Sequence, residues 1–118
     1  MTRARRDEPP QELTPIAFEV LLSLAGGPLH GYGIKLAIEE RTEGELVLGS
    51  GTLYHSIQRL EREGLIAAAG DAGRRGDARR GRAYRLEPAG RGSLTRHLHR
   101  LSRALDYARG HKLLPSTK

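Results

Sequence analysis

The amino-acid sequence predicts a mainly α-helical domain with one small β-hairpin and a long C-terminal helix. Three observations lead to this fold class. Apolar residues recur at helical spacing between chain breaks such as Gly26-Gly27-Pro28. Two short apolar runs then flank a segment rich in Gly, Asp and Arg, as the strands of a hairpin flank its turn. After Glu87-Pro88, leucines alternate in steps of four and three, which is the spacing of helices that pair with each other.

The length and charge of the chain limit its function. Its 118 residues allow one small domain with a modest core. A net charge of +6 favours a polyanionic partner, either nucleic acid or an anionic membrane surface. Residues 13–63 contain four Lys or Arg and seven Asp or Glu, whereas residues 70–85 contain six Arg and two Asp. Positive charge is therefore concentrated in the predicted hairpin.

Several classes of function lack their residues. The chain has no Cys, which excludes disulfides, thiolate metal sites and cysteine nucleophiles. No apolar run approaches the roughly 18 residues of a membrane span, so we expect a cytoplasmic protein that does not contact a membrane. The five His lack the spacing of a metal site, and no Ser lies in a nucleophile elbow. We therefore expect no metal, no cofactor and no enzymatic activity.

The first helix is predicted to follow a disordered basic tail of residues 1–12, whose arginines are either solvated or reach a DNA minor groove. Thr14 is its expected N-cap, Pro15 its first residue, and Leu13 packs on Phe18. The helix should extend to about Ala25. Its apolar residues exceed one stripe, so we expect the extra face to contact a second subunit.

A second helix is predicted from His30 to Arg41, after the break at Gly26-Gly27-Pro28. Its apolar positions are Tyr32, Ile34, Leu36 and Ile38. Residues 42–48 then form a short connection.

The third helix has the strongest local signals. Ser50 is its expected N-cap and Gly64 its left-handed C′ residue, with Leu60 and Leu65 making the apolar contact of a Schellman ending. Leu53, Ile57 and Leu60 should face the core because they recur at i, i+4 and i+7. The opposite face is rich in hydrogen-bond donors and has no carboxylate at its centre; it comprises Thr52, Tyr54, His55, Gln58, Arg59 and Arg62. This composition suits a helix that reads the major groove, although a solvated surface would look the same.

The hairpin is predicted from two short strands, Leu65–Ala69 and Arg82–Leu86. Its tip is a near-duplication in which residues 70–75 and 76–80 each combine Gly-Asp-Ala with arginines. We interpret the tip as a wing that binds DNA phosphates; the alternative is a solvated loop.

The last helix is predicted from Pro88, with Gly110 at its end. Its heptad-like apolar positions favour pairing with a second copy of the chain, and packing on the helix's own domain is the alternative. These positions are Leu94, Leu98, Leu101, Leu105 and Ala108.

The order of helix, helix, helix, hairpin and helix is typical of a winged helix-turn-helix followed by one further helix. Three motifs in the same order resemble the PadR family of transcriptional regulators. They are Gly27–Ile34, then Gly51–Tyr54 continued by Arg59–Ile66, and finally Arg82–Leu86. The resemblance implies a winged helix-turn-helix DNA-binding domain over residues 13–87, a dimerisation helix over residues 88–109 and a flexible tail over residues 110–118.

The resemblance also implies a homodimeric repressor that binds a near-palindromic operator and is released by an effector. The residues expected to bind DNA are Tyr32, Ser50, Thr52, Tyr54, His55, Gln58, Arg59, Arg79, Arg80 and Arg82. The residues expected at the dimer interface are Phe18, Leu22, Leu94, Leu98, Leu101, Leu105 and Ala108. Some relatives use Trp to bind flat aromatic drugs between subunits, and this chain has no Trp. The chemical class of any small-molecule effector therefore stays open.

A different class of function is a winged-helix module that binds a protein partner and ignores DNA. Such a module would present an apolar face on its third helix. The polar face of this helix favours DNA.

Overall fold

The computed structural model describes residues 12–69 and 82–115. In chain order the elements are α1 (Pro15–Ser23), a 3₁₀ turn (Leu24–Gly26), β1 (Leu29–His30), α2 (Gly31–Arg41), α3 (Ser50–Arg62), β2 (Ile66–Ala68), β3 (Ala83–Leu86) and α4 (Pro88–Gly110). The predicted fold class, mainly helical with a small antiparallel sheet, is confirmed. No helix in this part of the chain is both long and apolar enough to cross a membrane.

α1 begins as its sequence predicts. The hydroxyl oxygen of Thr14 accepts a hydrogen bond from the Ala17 amide at 3.1 Å, and Pro15 occupies the first turn, where its missing N–H is not needed. Leu13 and Phe18 both pack against the core. α1 contacts α2, α3 and α4, so it is the central helix of the bundle.

The sheet has one more strand than the predicted hairpin. β3 lies between the other two strands and is antiparallel to both, with Leu29 opposite Tyr84 and Ile66 opposite Leu86. β1 spans two residues and is fixed by pairing with a strand more than fifty positions away. The β2–β3 hairpin itself is confirmed, whereas its predicted arginine-rich tip lies outside the described residues.

The core consists of the apolar faces of α1, α2 and α3, closed by the sheet and the first turns of α4. In α2 only Ile34 and Ile38 are fully buried, whereas Tyr32 and Leu36 are exposed. The remaining buried apolar residues are Ala17, Val20, Leu21, Leu24, Leu48, Leu53, Ile57, Leu60, Leu65, Ile66, Ala83, Tyr84 and Leu94.

Candidate nucleic-acid interface

The two ends of α3 differ in how well the sequence predicts them. The prediction that Ser50 caps it is wrong: Gly49 is the N-cap, without a side-chain hydrogen bond, and Ser50 is the first helical residue. The predicted Schellman ending is confirmed. Gly64 has a φ of 77°. Its amide donates to the backbone carbonyl of Glu61 at 3.1 Å, and the Leu65 amide donates to the backbone carbonyl of Leu60 at 3.0 Å.

The helix divides into an inner and an outer face as its periodicity predicts. Leu53, Ile57 and Leu60 are buried, which fixes the rotation of the helix about its axis. The opposite side chains are solvent-exposed, namely Ser50, Thr52, Tyr54, His55, Gln58, Arg59 and Arg62. Their hydroxyl, imidazole, amide and guanidinium groups can donate to base edges and phosphate oxygens.

Arg59 already has a partner on its own helix. Its Nε donates to the Glu63 carboxylate at 3.1 Å, one turn further along the chain. The Arg59 side chain is mostly exposed, so this bond is weak and its guanidinium can exchange the carboxylate for a phosphate at little cost. Before such an exchange, Glu63 holds Arg59 at the edge of the outer face.

Arg82, the residue immediately before β3, is tied to α3. Its guanidinium lies 3.5 Å from the Glu61 carboxylate and 5.8 Å from the centre of the Tyr84 ring. Burial raises the pKa of the Tyr84 hydroxyl, and the nearby positive charge of Arg82 partly opposes this shift. Tyr84 therefore stays neutral and packs beneath the cation. The contact with Glu61 was not predicted from the sequence because it depends on how the hairpin folds back.

Tyr32, the predicted DNA contact outside α3 and the hairpin, lies in the first turn of α2 with 64% of its surface exposed. Two other predicted contacts, Arg79 and Arg80, lie outside the described residues. In the described part of the chain, no group of three or more His, Asp or Glu side chains could hold a metal ion.

An open cavity of about 930 Å³ lies between α3 and the start of α1. Thr52, His55 and Arg59 line one wall, and Leu13 and Ile16 line the other. The structure thus brings three of the predicted DNA-binding residues to a common groove. The N-terminal residues of α1 had not been predicted to lie there.

The residues predicted at the dimer interface fall into two groups. Phe18 and Leu22 are half-buried against the core of their own chain, and the Phe18 ring lies 4.6 Å from the His97 ring of α4. Leu94 is also buried in that core. The α4 positions beyond it are more open: Leu98, Leu101 and Leu105 are 38%, 38% and 41% exposed, and Ala108 is half-buried.

Comparison with known sequences supports a regulatory class. Residues 20–96 match the model of the Transcriptional regulator PadR-like family. Over 84 residues the chain is 42% identical to an uncharacterized 37.1 kDa protein in transposon TN4556 of Streptomyces fradiae. That match covers 71% of this chain and 22% of the relative, so the chain spans about a fifth of the relative's length.

Solved structures share the fold. A transcriptional regulator from Clostridium thermocellum is similar with a TM-score of 0.64 and 24% identity, covering 80% of this chain and 87% of that one. A PadR family transcription regulator from Clostridium difficile R20291 has a TM-score of 0.62 and 21% identity, with coverage of 83% and 98%. Bacillus subtilis PadR in complex with operator DNA has a TM-score of 0.60 and 21% identity, with coverage of 72% and 47%.

Proposed function

Because the chain belongs to the PadR-like family of transcriptional regulators, we propose that it represses transcription as a homodimer bound to a near-palindromic operator in double-stranded DNA. The family consists of transcriptional regulators, which is the class of protein that the sequence predicted. α3 is the proposed recognition helix, and the arginines of the hairpin are the proposed contacts to the flanking phosphates.

The outer face of α3 is the observation on which this proposal rests. Thr52, His55 and Gln58 are exposed on a helix whose opposite side is locked into the core. A rigid helix with exposed donors is what base reading in the major groove requires, since each bidentate contact depends on a fixed side-chain position. The operator complex of Bacillus subtilis PadR has the same fold and supports DNA as the ligand.

The homodimer is supported by α4. Leu98, Leu101 and Leu105 are exposed along one side of this helix, and they recur in steps of three and four. A second copy of α4 would cover them. In such a dimer we expect the two recognition helices to lie about 34 Å apart, one turn of DNA, so that they enter successive major grooves on one side of the duplex.

Repression and release then follow from the dimer. A protein bound across a promoter excludes RNA polymerase, and an effector would release it by favouring a different separation or tilt of the two recognition helices. Such an effector must bind the two arrangements with different affinities.

The proposal is tested by selecting bound fragments from genomic DNA and measuring affinity for the enriched site. Gln58→Ala and Arg59→Ala should each weaken specific binding by about 1–3 kcal/mol and relax base preference at one position of each half-site. Arg109→Ala, which removes a cation near the far end of α4, is the control and should leave the affinity unchanged. A double Gln58→Ala, Arg59→Ala variant that binds the site as tightly as the parent would exclude α3 as the recognition helix.

A further inference from the structure

A second cavity lies on the other side of the start of α1, against α4. Its volume is about 340 Å³, which is within the range of small-molecule sites. Glu12 and Leu13 line one side. The other side is formed by one face of α4, with Ser93, Arg96, His97, His99, Arg100 and Arg103.

Three guanidinium groups dominate the lining of this cavity. Arg96, Arg100 and Arg103 follow each other at i, i+4 and i+7, so they form one stripe along α4, which we call the arginine stripe. At about 100° per residue, the stripe lies roughly opposite the exposed leucines of the same helix. A dimer formed through those leucines would leave the arginine stripe accessible.

Little negative charge offsets the arginine stripe. Within residues 12–69 and 82–115, its one salt bridge joins Arg100 to Glu12 at 3.9 Å. The two side chains of this pair are 54% and 69% exposed, so the pair is weak. Arg96 donates to the Ser93 hydroxyl at 3.3 Å, and Arg100 lies 3.4 Å from Nδ1 of His97. Neither the serine hydroxyl nor the imidazole carries a negative charge, so neither offsets the positive charge of the arginine stripe.

We propose that this cavity binds a compact multivalent anion, a small molecule with phosphate or carboxylate groups. Guanidinium groups recognise such anions through paired N–H donors, and like charges spaced one turn apart are stabilised when an anion bridges them. The carboxylate of Glu12 occupies the edge of the site and is displaced when the anion binds Arg100.

Displacement of Glu12 would also change the groove beside the recognition helix, α3. Glu12 and Leu13 also line the cavity of about 930 Å³ that includes Thr52, His55 and Arg59. An anion that moves the start of α1 thereby changes the groove beside the DNA-reading side chains. This regulatory consequence rests on the proposed function, whereas anion binding itself does not. By linkage, an anion that lowers DNA affinity must itself bind less tightly to the DNA complex, by the same factor.

The site is tested on the full chain without DNA, by calorimetric titration with inorganic phosphate and, separately, with citrate at constant ionic strength. Saturable binding of at least one probe is expected. Arg100→Gln should weaken it at least about tenfold, because a charge-assisted contact is lost. Arg91→Gln, which removes an exposed arginine from the other side of α4, should leave it unchanged. Equal loss in both variants, or no saturable binding of either probe, would overturn the proposal.

Glu12→Gln provides a test of opposite sign. Removing the competing carboxylate should tighten anion binding, whereas Glu43→Gln, which neutralises an exposed carboxylate between α2 and α3, should not. If Glu12→Gln leaves the affinity unchanged, the carboxylate does not compete and the proposed displacement is wrong.

Two further measurements distinguish the ligands. If Arg100→Gln weakens DNA binding and lowers its salt dependence but leaves phosphate and citrate binding intact, the arginine stripe binds the DNA backbone and the proposal fails. If the parent binds either small anion and no genomic fragment, the anion site stands and the proposed function fails.

Discussion

At the scale of single residues, the small space around position 90 requires a glycine there. It is buried in the first turn of α4, and a Cβ built on it would lie 2.1 Å from the carbonyl oxygen of Leu65. The same carbonyl accepts a hydrogen bond from the Glu87 amide at 3.0 Å. The start of α4 therefore lies directly on the backbone that precedes β2. At Gly92, two residues further along, an added methyl group would have no such neighbour within 4 Å.

Gly90 and Gly92 should respond oppositely to the same substitution. Gly90→Ala should lower the free energy of unfolding by about 1–3 kcal/mol, because the new methyl group collides with a backbone carbonyl. Gly92→Ala should raise it by about 0.5–1 kcal/mol, since alanine loses less conformational freedom in a helix. Urea unfolding followed by circular dichroism measures both. A Gly90→Ala variant as stable as Gly92→Ala would show that α4 does not lie against Leu65.

Residues on α3 could be assigned to a face from the sequence because helical spacing alone decides which side is buried. Contacts between residues that are distant in the sequence could not be predicted in this way. Glu61 and Arg82 lie 3.5 Å apart, but their contact requires the hairpin to return alongside α3. The predicted N-cap of α3 is one residue too late, because Gly49 caps the helix with its backbone and gives no side-chain signal.

At the scale of elements, all three long helices end in the same way, although only α3 has a glycine at the left-handed position. α3 ends at Gly64, the residue that favours a positive φ. α2 and α4 place Glu43 and Lys112 in that position, with φ of 54° and 63°. The amide pattern is nevertheless preserved in both, for example from Gly44 to Glu39 at 2.8 Å. Neither residue type marks such a position, so the left-handed residues after α2 and α4 could not be predicted from the sequence.

β1 was not predicted for a related reason. Two residues cannot show the alternation by which strands are recognised. Leu29 and His30 become a strand only because β3 presents free backbone groups next to them. The elements with long periodic patterns were thus predictable, and the element fixed by a distant partner was not.

The dimer can be tested through α4 without disturbing the protomer's fold. Leu101→Glu should convert the proposed dimer to a monomer, because it places an unpaired charge in a buried interface, while the partly exposed side chain contributes little to the protomer's own core. Light scattering measures the mass. Thr95→Glu, exposed and about 90° around the helix from the leucines, should remain dimeric. A monodisperse Leu101→Glu dimer would mean that the interface lies elsewhere.

At the scale of the whole molecule, charge is divided between surfaces. Residues 13–63 contain more acidic than basic side chains, so in the proposed function the outer face of α3 would read bases without a strong general attraction for DNA. The arginines of the hairpin, which are the proposed phosphate contacts, would supply that attraction. Base selectivity and overall affinity should therefore be separable by mutation.

Arg82 should contribute to affinity and not to base selectivity. Arg82→Gln should weaken binding to all DNA sequences alike and reduce the slope of log K against log salt by about 0.9 for each protomer. Titrations from low to high salt on the selected site and on unrelated DNA measure this slope. Arg109→Gln, at the far end of α4, is the control and should keep the parent slope. An unchanged slope for Arg82→Gln would show that its guanidinium stays on Glu61 and Tyr84 when DNA is bound.

The contact between Gly90 and Leu65 also fixes the start of α4, so a tilt at that point displaces the far end of the helix most. The 23 residues of α4 extend about 34 Å at 1.5 Å per residue. A tilt of only about 5° at Gly90 would move the far end by about 3 Å, a shift comparable to the rise of one base pair, about 3.4 Å. A small change in packing at the start of the helix would thus produce a larger change in the spacing of the operator half-sites that the proposed dimer can bind.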